Sequence, residues 1–228
     1  MKKISIKNLV LFTGVYGFLS FFVFMFLTWN GLSVWMGINV GFAMIPWITI
    51  LYLYNRFIEN NFSFDWISIV GLLFFIFFYP NSFYILTDFI HVDTSEFYLS
   101  SLYEGTSYLR IIDPYIMLSH IIVSAIIGAY AGIQSLLYLE EMIFLKYKSK
   151  RLNTYVFVAV LLLSSIGIYI GRFLRFFSWD VLRPLELFKD FFGSLDLFAF
   201  AFIILFTVLE LLIYCGYKVM FLKVENLK

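Results

Sequence analysis

The chain has 228 residues, 62% hydrophobic and 22% aromatic, with only 14% charged and a formal net charge of +1. Soluble domains carry roughly 25% charged residues, so these numbers exclude a soluble globular fold, and no nucleic-acid partner is expected. One cysteine, Cys215, excludes a disulfide framework and a Cys-based metal site.

The N-terminus, MKKISIKNLVLF, has the basic start of a signal peptide. The apolar stretch behind it runs from Leu9 to about Leu27 and ends in Thr28-Trp29-Asn30-Gly31. That is longer than the ~7–15 residues of a signal h-region, so a retained first helix is expected. Apolar runs near the ~20 residues that cross a bilayer then predict six spans: Leu9–Thr28, Leu32–Asn55, Trp66–Leu86, Ile111–Leu139, Asn153–Phe173 and Leu195–Tyr217. Lipid offers backbone groups no partners, so runs of this length are read as helices. The fold class is all-α and polytopic, a single membrane domain over residues 1–228, with loops near 88–110 and 174–194.

Orientation follows from the basic residues, which favour the cytoplasmic side. With six spans the termini share a side, and that side holds Lys2, Lys3, Lys7, Arg56, Lys146, Lys148, Lys150, Arg151, Lys218, Lys223 and Lys228. The other side holds Arg110, Arg172, Arg175, Arg183 and Lys189. Both termini are therefore expected in the cytoplasm, and the loops after the third and fifth spans face outward together.

The third span is interrupted. Residues 80–91 read PNSFYILTDFIH. Pro80 removes a backbone donor and ends or kinks the helix, Tyr79 is pushed toward an extended conformation, and Asn81 can satisfy freed backbone groups. The apolar return at Phe83-Tyr84-Ile85-Leu86 predicts a broken or re-entrant element held at the interface. Asp88 and His91 lie three apart, on one face if the piece is helical. They are candidates for a general base and, weakly, for metal ligands.

The fifth span ends in GRFLRFFSWD, residues 171–180. Arg172 and Arg175 are again three apart and would share a helical face. Snorkelling to headgroups is the simpler account of either arginine alone. An arginine near hydrocarbon is costly and usually paired, however, and Asp88, Asp93 and Asp180 lie on the same side. The functional reading is a polar site in which Arg172 and Arg175 bind an anionic group. Asn81, Tyr84, Thr87, Ser178, Trp179 and Asp180 would surround it.

Other polar positions carry less. His120, with Ser119 and Ser124 nearby, reads as a hydrogen-bonded core histidine. Glu140-Glu141 begins the loop before the basic run 146–151; no matching arginine follows it, which argues against an intramembrane protease. Glu210 is buried by position and could pair with a neighbouring helix.

Two motifs carry a resemblance. PNSFYILTDFIH resembles Pro-Asn-x-x-Tyr-Ile-x-Thr-Asp-x-Ile-His, and GIYIGRFLRFFSWD, residues 167–180, resembles Gly-Ile-Tyr-x-Gly-Arg-Phe-x-Arg-x-x-Ser-Trp-Asp. Both are similar to signatures of DUF1361, a family of predicted bacterial multi-pass membrane proteins with no assigned function. GAYAGIQSLL, with Gly128, Gly132 and Ser135-Leu136, fits the small-residue helix between them, and the similarity spans roughly 65–185. Ser82-Phe83 stands where the family often has Ala-Pro, and Phe176-Phe177 where it commonly has Trp-Asn. The resemblance implies a multi-pass protein of the bacterial cell membrane, and no reaction. Three functions stay open: a binding or transport component for an anionic headgroup or small anion, an enzyme acting on a lipid-linked or phosphorylated substrate, and a structural scaffold or accessory subunit.

Overall fold

The computed structural model describes residues 5–28, 31–101, 105–176, 180 and 183–222. It is an all-α bundle in which six helical stretches among the described residues are long and apolar enough to cross a membrane. The helices are α1 (Ile6–Val23, prolonged by a π turn Phe24–Thr28), α2 (Leu32–Glu59), α3 (Trp66–Phe78), the short α4 (Pro80–Tyr84), α5 (Asp113–Tyr147), α6 (Lys150–Tyr169), α7 (Pro184–Gly193) and α8 (Leu197–Tyr217). Strands β1 (Tyr98–Ser101) and β2 (Gly105–Tyr108) form an antiparallel hairpin in the loop before α5, which the hydropathy pattern did not announce.

Burial ranks the helices. In α5, 50% of the most apolar stretch is buried, and in α2 44%, against 11% in the first span and 22% in the last. The first pair is therefore the packed centre, and α1 and α8 present most of their surface outward. Exposed Leu11, Phe18, Phe26, Leu197, Ile204 and Leu212 suit hydrocarbon, because a helix in lipid has no reason to hide its apolar side chains.

The third span is a helix that changes its winding without leaving the bundle. Asp65 caps α3, accepting from the Ser68 amide at 2.9 Å and the Ser68 hydroxyl at 2.7 Å. The paired Arg56 guanidinium, followed by Ser68, holds the Asp65 carboxyl well below the usual carboxylate range. At Pro80 the chain does not straighten. Tyr79 has φ −56° and ψ −38°, helical rather than the extended backbone expected before a proline. Pro80 instead occupies the first turn of α4, where its missing N–H is least disruptive. The Ser82 amide takes the Tyr79 carbonyl at 3.0 Å, and the Asn81 side-chain amide takes the Phe78 carbonyl at 2.9 Å. From Ile85 to His91 the chain tightens into a 3₁₀ helix.

Tertiary contacts override the local preference of Tyr79, because α4 is wedged between α5 and α6 in a slot lined by glycine. A Cβ on Gly128 would lie 2.6 Å from the Ser82 carbonyl oxygen, one on Gly132 2.5 Å from the Phe83 ring, and one on Gly167 2.5 Å from Cγ of Pro80. On a third side the Ser82 hydroxyl donates to the Ala43 carbonyl of α2 at 3.1 Å. Small residues that let backbones approach are the usual basis of helix contact in lipid.

A second departure concerns Glu140 and Glu141. They were expected to open a loop, but α5 continues to Tyr147. Their charges are met within the bundle: Glu140 accepts from Lys218 and Tyr214, both at 2.6 Å, and Glu141 from Tyr54 at 2.7 Å.

The slot makes a specific demand. Gly128→Ala should destabilise the detergent-solubilised protein by about 1–3 kcal/mol through overpacking. Gly41→Ala, where nothing lies within 4 Å of the added carbon, should leave the thermal midpoint unchanged or slightly raised. Equal behaviour of the two variants would contradict the wedge.

Candidate functional site

The 3₁₀ segment Ile85–His91 and the π turn Ile170–Leu174 meet at one end of the bundle. A π turn widens the helix and carries Arg172 beyond α6 toward the third span. Its guanidinium pairs with Asp88 at 2.5 Å, with side-chain exposures of 13% for Arg172 and 4% for Asp88. Nε of Arg172 also donates to the Thr87 hydroxyl at 2.8 Å, and Nη2 contacts the same oxygen. The Thr87 hydroxyl in turn donates to the Tyr84 carbonyl at 2.6 Å. Tyr84 lays its ring under the guanidinium, 4.5 Å from the ring centroid to Cζ, a cation–π contact strengthened by desolvation. A Cβ on Gly171 would come within 3.2 Å of that ring, so the glycine keeps room for it.

The second Asp88 oxygen is not left bare. Nδ2 of Asn39, on α2, donates to it at 2.9 Å. Both carboxylate oxygens therefore hold a donor, and the ion pair is satisfied by three separate helical segments. A pair removed from water in this way is tolerable only when its remaining hydrogen-bonding capacity is met.

The neighbouring candidates divide sharply. His91 is exposed at the end of the 3₁₀ segment, although Asp88 one turn earlier is buried. Arg175 is exposed as well and does not share a helical face with Arg172, because it adopts a left-handed conformation with φ 60° that ends the π turn. Neither makes a hydrogen bond or ion pair with another described residue. Asp93, a possible acidic partner for the arginines, instead binds Ser95: its Oδ1 accepts from the hydroxyl at 2.8 Å and the amide at 2.9 Å, which holds the Asp93 carboxyl below its usual range. The Asp180 backbone carbonyl accepts the Arg183 amide at 2.8 Å, just ahead of α7. Ser178 and Trp179 lie outside the described residues.

Among the described residues no group of three or more His, Cys, Asp or Glu side chains is placed to hold a metal ion. Asp88 has its oxygens committed to Arg172 and Asn39, and His91 points to a different environment. What the arrangement offers chemically is a neutral buried pair, with one exposed basic side chain three residues beyond each of its members.

A family profile described as "Protein of unknown function (DUF1361)" matches residues 38–213, most of the chain. The chain belongs to this family. The matched region contains all of the Asp88–Arg172 site, including Asn39 near its first residue, which the resemblance over 65–185 did not reach. No curated protein matches the chain, and no solved structure does.

Asn39 is the one contributor to this DUF1361 site that sequence reasoning passed over. Its signal is a lone amide within the apolar run Trp35–Ile50, where a polar side chain needs a partner. Gly128 and Gly132, which the sequence offers only as part of a small-residue helix, seat the Pro80–Tyr84 segment.

Removing the carboxylate strands a buried guanidinium, so Asp88→Ala should destabilise the protein by about 3–5 kcal/mol. Asn39→Ala removes one hydrogen bond from Asp88 and should cost roughly 1–3 kcal/mol. Thermal unfolding in a fixed detergent orders the two variants; equal losses, or a silent Asp88→Ala, would contradict the description.

Proposed function

We propose that the end of the bundle built around Asp88 and Arg172 is an extracytoplasmic binding site for an anionic group, either a lipid headgroup or a small free anion. The observation that carries this reading is the exposure of Arg175 and His91, each three residues beyond a member of the buried pair and each without a partner among the described residues. The pair itself is neutral and pinned by Asn39, Thr87 and Tyr84, so it makes a rigid floor. Arg175 brings a guanidinium that can grip phosphate or carboxylate oxygens in a fork, and His91 adds a hydrogen bond and, when protonated, a second positive charge. The bilayer is the surrounding medium, and the exposed apolar faces of α1 and α8 support that.

The enzyme alternative asks Asp88 to act as a base. With both its oxygens accepting hydrogen bonds, one from a guanidinium, Asp88 is better suited to holding structure than to taking a proton. The scaffold alternative is favoured by the same pair, since a buried clamp between the third and fifth spans needs no ligand.

The full chain in nanodiscs, followed by native mass spectrometry, separates these readings. Anionic phosphatidylglycerol should be retained over phosphatidylcholine, and an inorganic phosphate titration tests the free anion. Loss of one charge-assisted hydrogen bond is worth about 1.5–3 kcal/mol, so Arg175→Gln should weaken retention roughly tenfold or more with no change in thermal midpoint. Unchanged retention of both probes in Arg175→Gln would leave the scaffold reading standing.

The same proposal places both termini in the cytoplasm of a bacterial cell, from the basic-residue bias. Reporter fusions at Glu96 and Ser149 should then report outside and inside respectively. A cytoplasmic Glu96 would move the site to the other face.

A further inference from the structure

A second polar cluster lies half a bundle away from Asp88. Glu210, in the middle of α8, has no solvent exposure at all. Its Oε1 accepts from the Ser164 hydroxyl at 2.9 Å and, more distantly, from Ser165 at 3.5 Å. The Ser165 proton is contested, because the same hydroxyl reaches the Leu161 carbonyl at 3.1 Å. Thr207 likewise divides its proton between Ser165 and the Ile203 carbonyl. Ser164 is thus the single firm donor to the carboxyl group. Oε2 is buried without a hydrogen-bond partner among the described residues, and so is the hydroxyl of Tyr79, between α3 and α4, which lies within Coulombic reach of Glu210.

No lysine, arginine or histidine among the described residues faces Glu210. The titratable groups around it are Tyr79 from the α3–α4 junction, Tyr214 on its own helix and, beyond Tyr214, Glu140 from α5; α6 contributes only the two serines. An isolated carboxylate buried with one firm hydrogen bond is far too costly to persist, and such groups neutralise instead. Holding a carboxyl protonated at neutral pH costs far less than burying a lone charge. The smaller cost decides the state: Glu210 is buried as the acid.

Two polar residues follow Glu210 along the same helix. Glu210, Tyr214 and Lys218 recur every four residues, on one face of the last span. The Tyr214 hydroxyl donates to Glu140 at 2.6 Å, and Lys218 contacts the same oxygen at 2.6 Å. Lys218 is 38% exposed and Glu140 19%, so the row starts at a fully buried carboxyl and ends at a solvent-accessible ion pair. Tyr214 and Lys218 are committed to Glu140, and Oε2 of Glu210 is left without a hydrogen-bond partner among the described residues.

We infer that Glu210 is a reversible proton-binding site within the membrane. One proton adds to the carboxylate at Oε2 and gives the neutral acid; release of that proton leaves the carboxylate. The inference is independent of the anion site at Asp88, and nothing in it requires that site to be occupied.

Infrared spectroscopy of the reconstituted full chain reads the proton directly. A carbonyl stretch of a protonated carboxyl should be present at neutral pH, should shift with ¹³C-glutamate labelling and not with ¹³C-aspartate, and should vanish in Glu210→Gln. Isotope labelling assigns the band to glutamate even where that variant fails to fold. The band should fade reversibly as pH is raised. Absence of the band at neutral pH would overturn the inference, as would a band that persists at every pH at which the protein stays folded. Loss of the band on adding sodium at constant pH would also overturn it, by making the site one for a metal cation.

Discussion

A carboxylate and a guanidinium held out of water, Asp88 against Arg172, set the terms for one whole end of this molecule. Neither charge is tolerable there alone, so the segments that carry them must arrive together and stay in register. That requirement explains why the third span winds tightly after Pro80 and why the fifth loosens into a π turn before Arg175. One change advances Asp88 and the other reaches Arg172 outward. Asn39 then draws α2 into the same contact, so three of the membrane helices are fastened at a single point.

Below that point the bundle is organised by absence of side chain. Gly128, Gly132 and Gly167 remove the atoms that would collide with Ser82, Phe83 and Pro80. The helix at Pro80 is therefore shaped by its neighbours as much as by the proline, and its carbonyls are answered locally by Asn81 and Ser82. At the other end the charges of Glu140 and Glu141 are answered by Lys218, Tyr214 and Tyr54. Of the two buried carboxyl groups among the described residues, Asp88 is met by a guanidinium and Glu210 only by serine hydroxyls. That asymmetry is what distinguishes Glu210 from the rest of the polar interior.

Much of this was legible in the residues because the bilayer imposes a strong one-dimensional signal. Six apolar runs, a basic bias and a Pro-Asn interruption are visible without coordinates, and the six candidate spans follow those runs closely. Details set by tertiary contact were not legible. The helical backbone of Tyr79 depends on a slot formed by residues at least 48 positions away, and the left-handed turn at Arg175 separates two arginines whose spacing suggested a shared face. Asn39 was hidden because one amide in an apolar run is ambiguous until its partner is known. The continuation of α5 past Glu140 escaped for a related reason: charge ends a span only if nothing in the bundle neutralises it.

The central claim is that Asp88 and Arg172 act as one buried unit. A double-mutant cycle on unfolding stability, using Asp88→Ala, Arg172→Ala and the combination, measures this most directly. A contacting pair of this kind couples by about 0.5–3 kcal/mol. The double variant should accordingly be less destabilised than the two single losses added together, because the second truncation removes a charge already stranded by the first. Losses that simply add, within about 0.5 kcal/mol, would contradict the claim and leave the two ends of the third and fifth spans as independent neighbours.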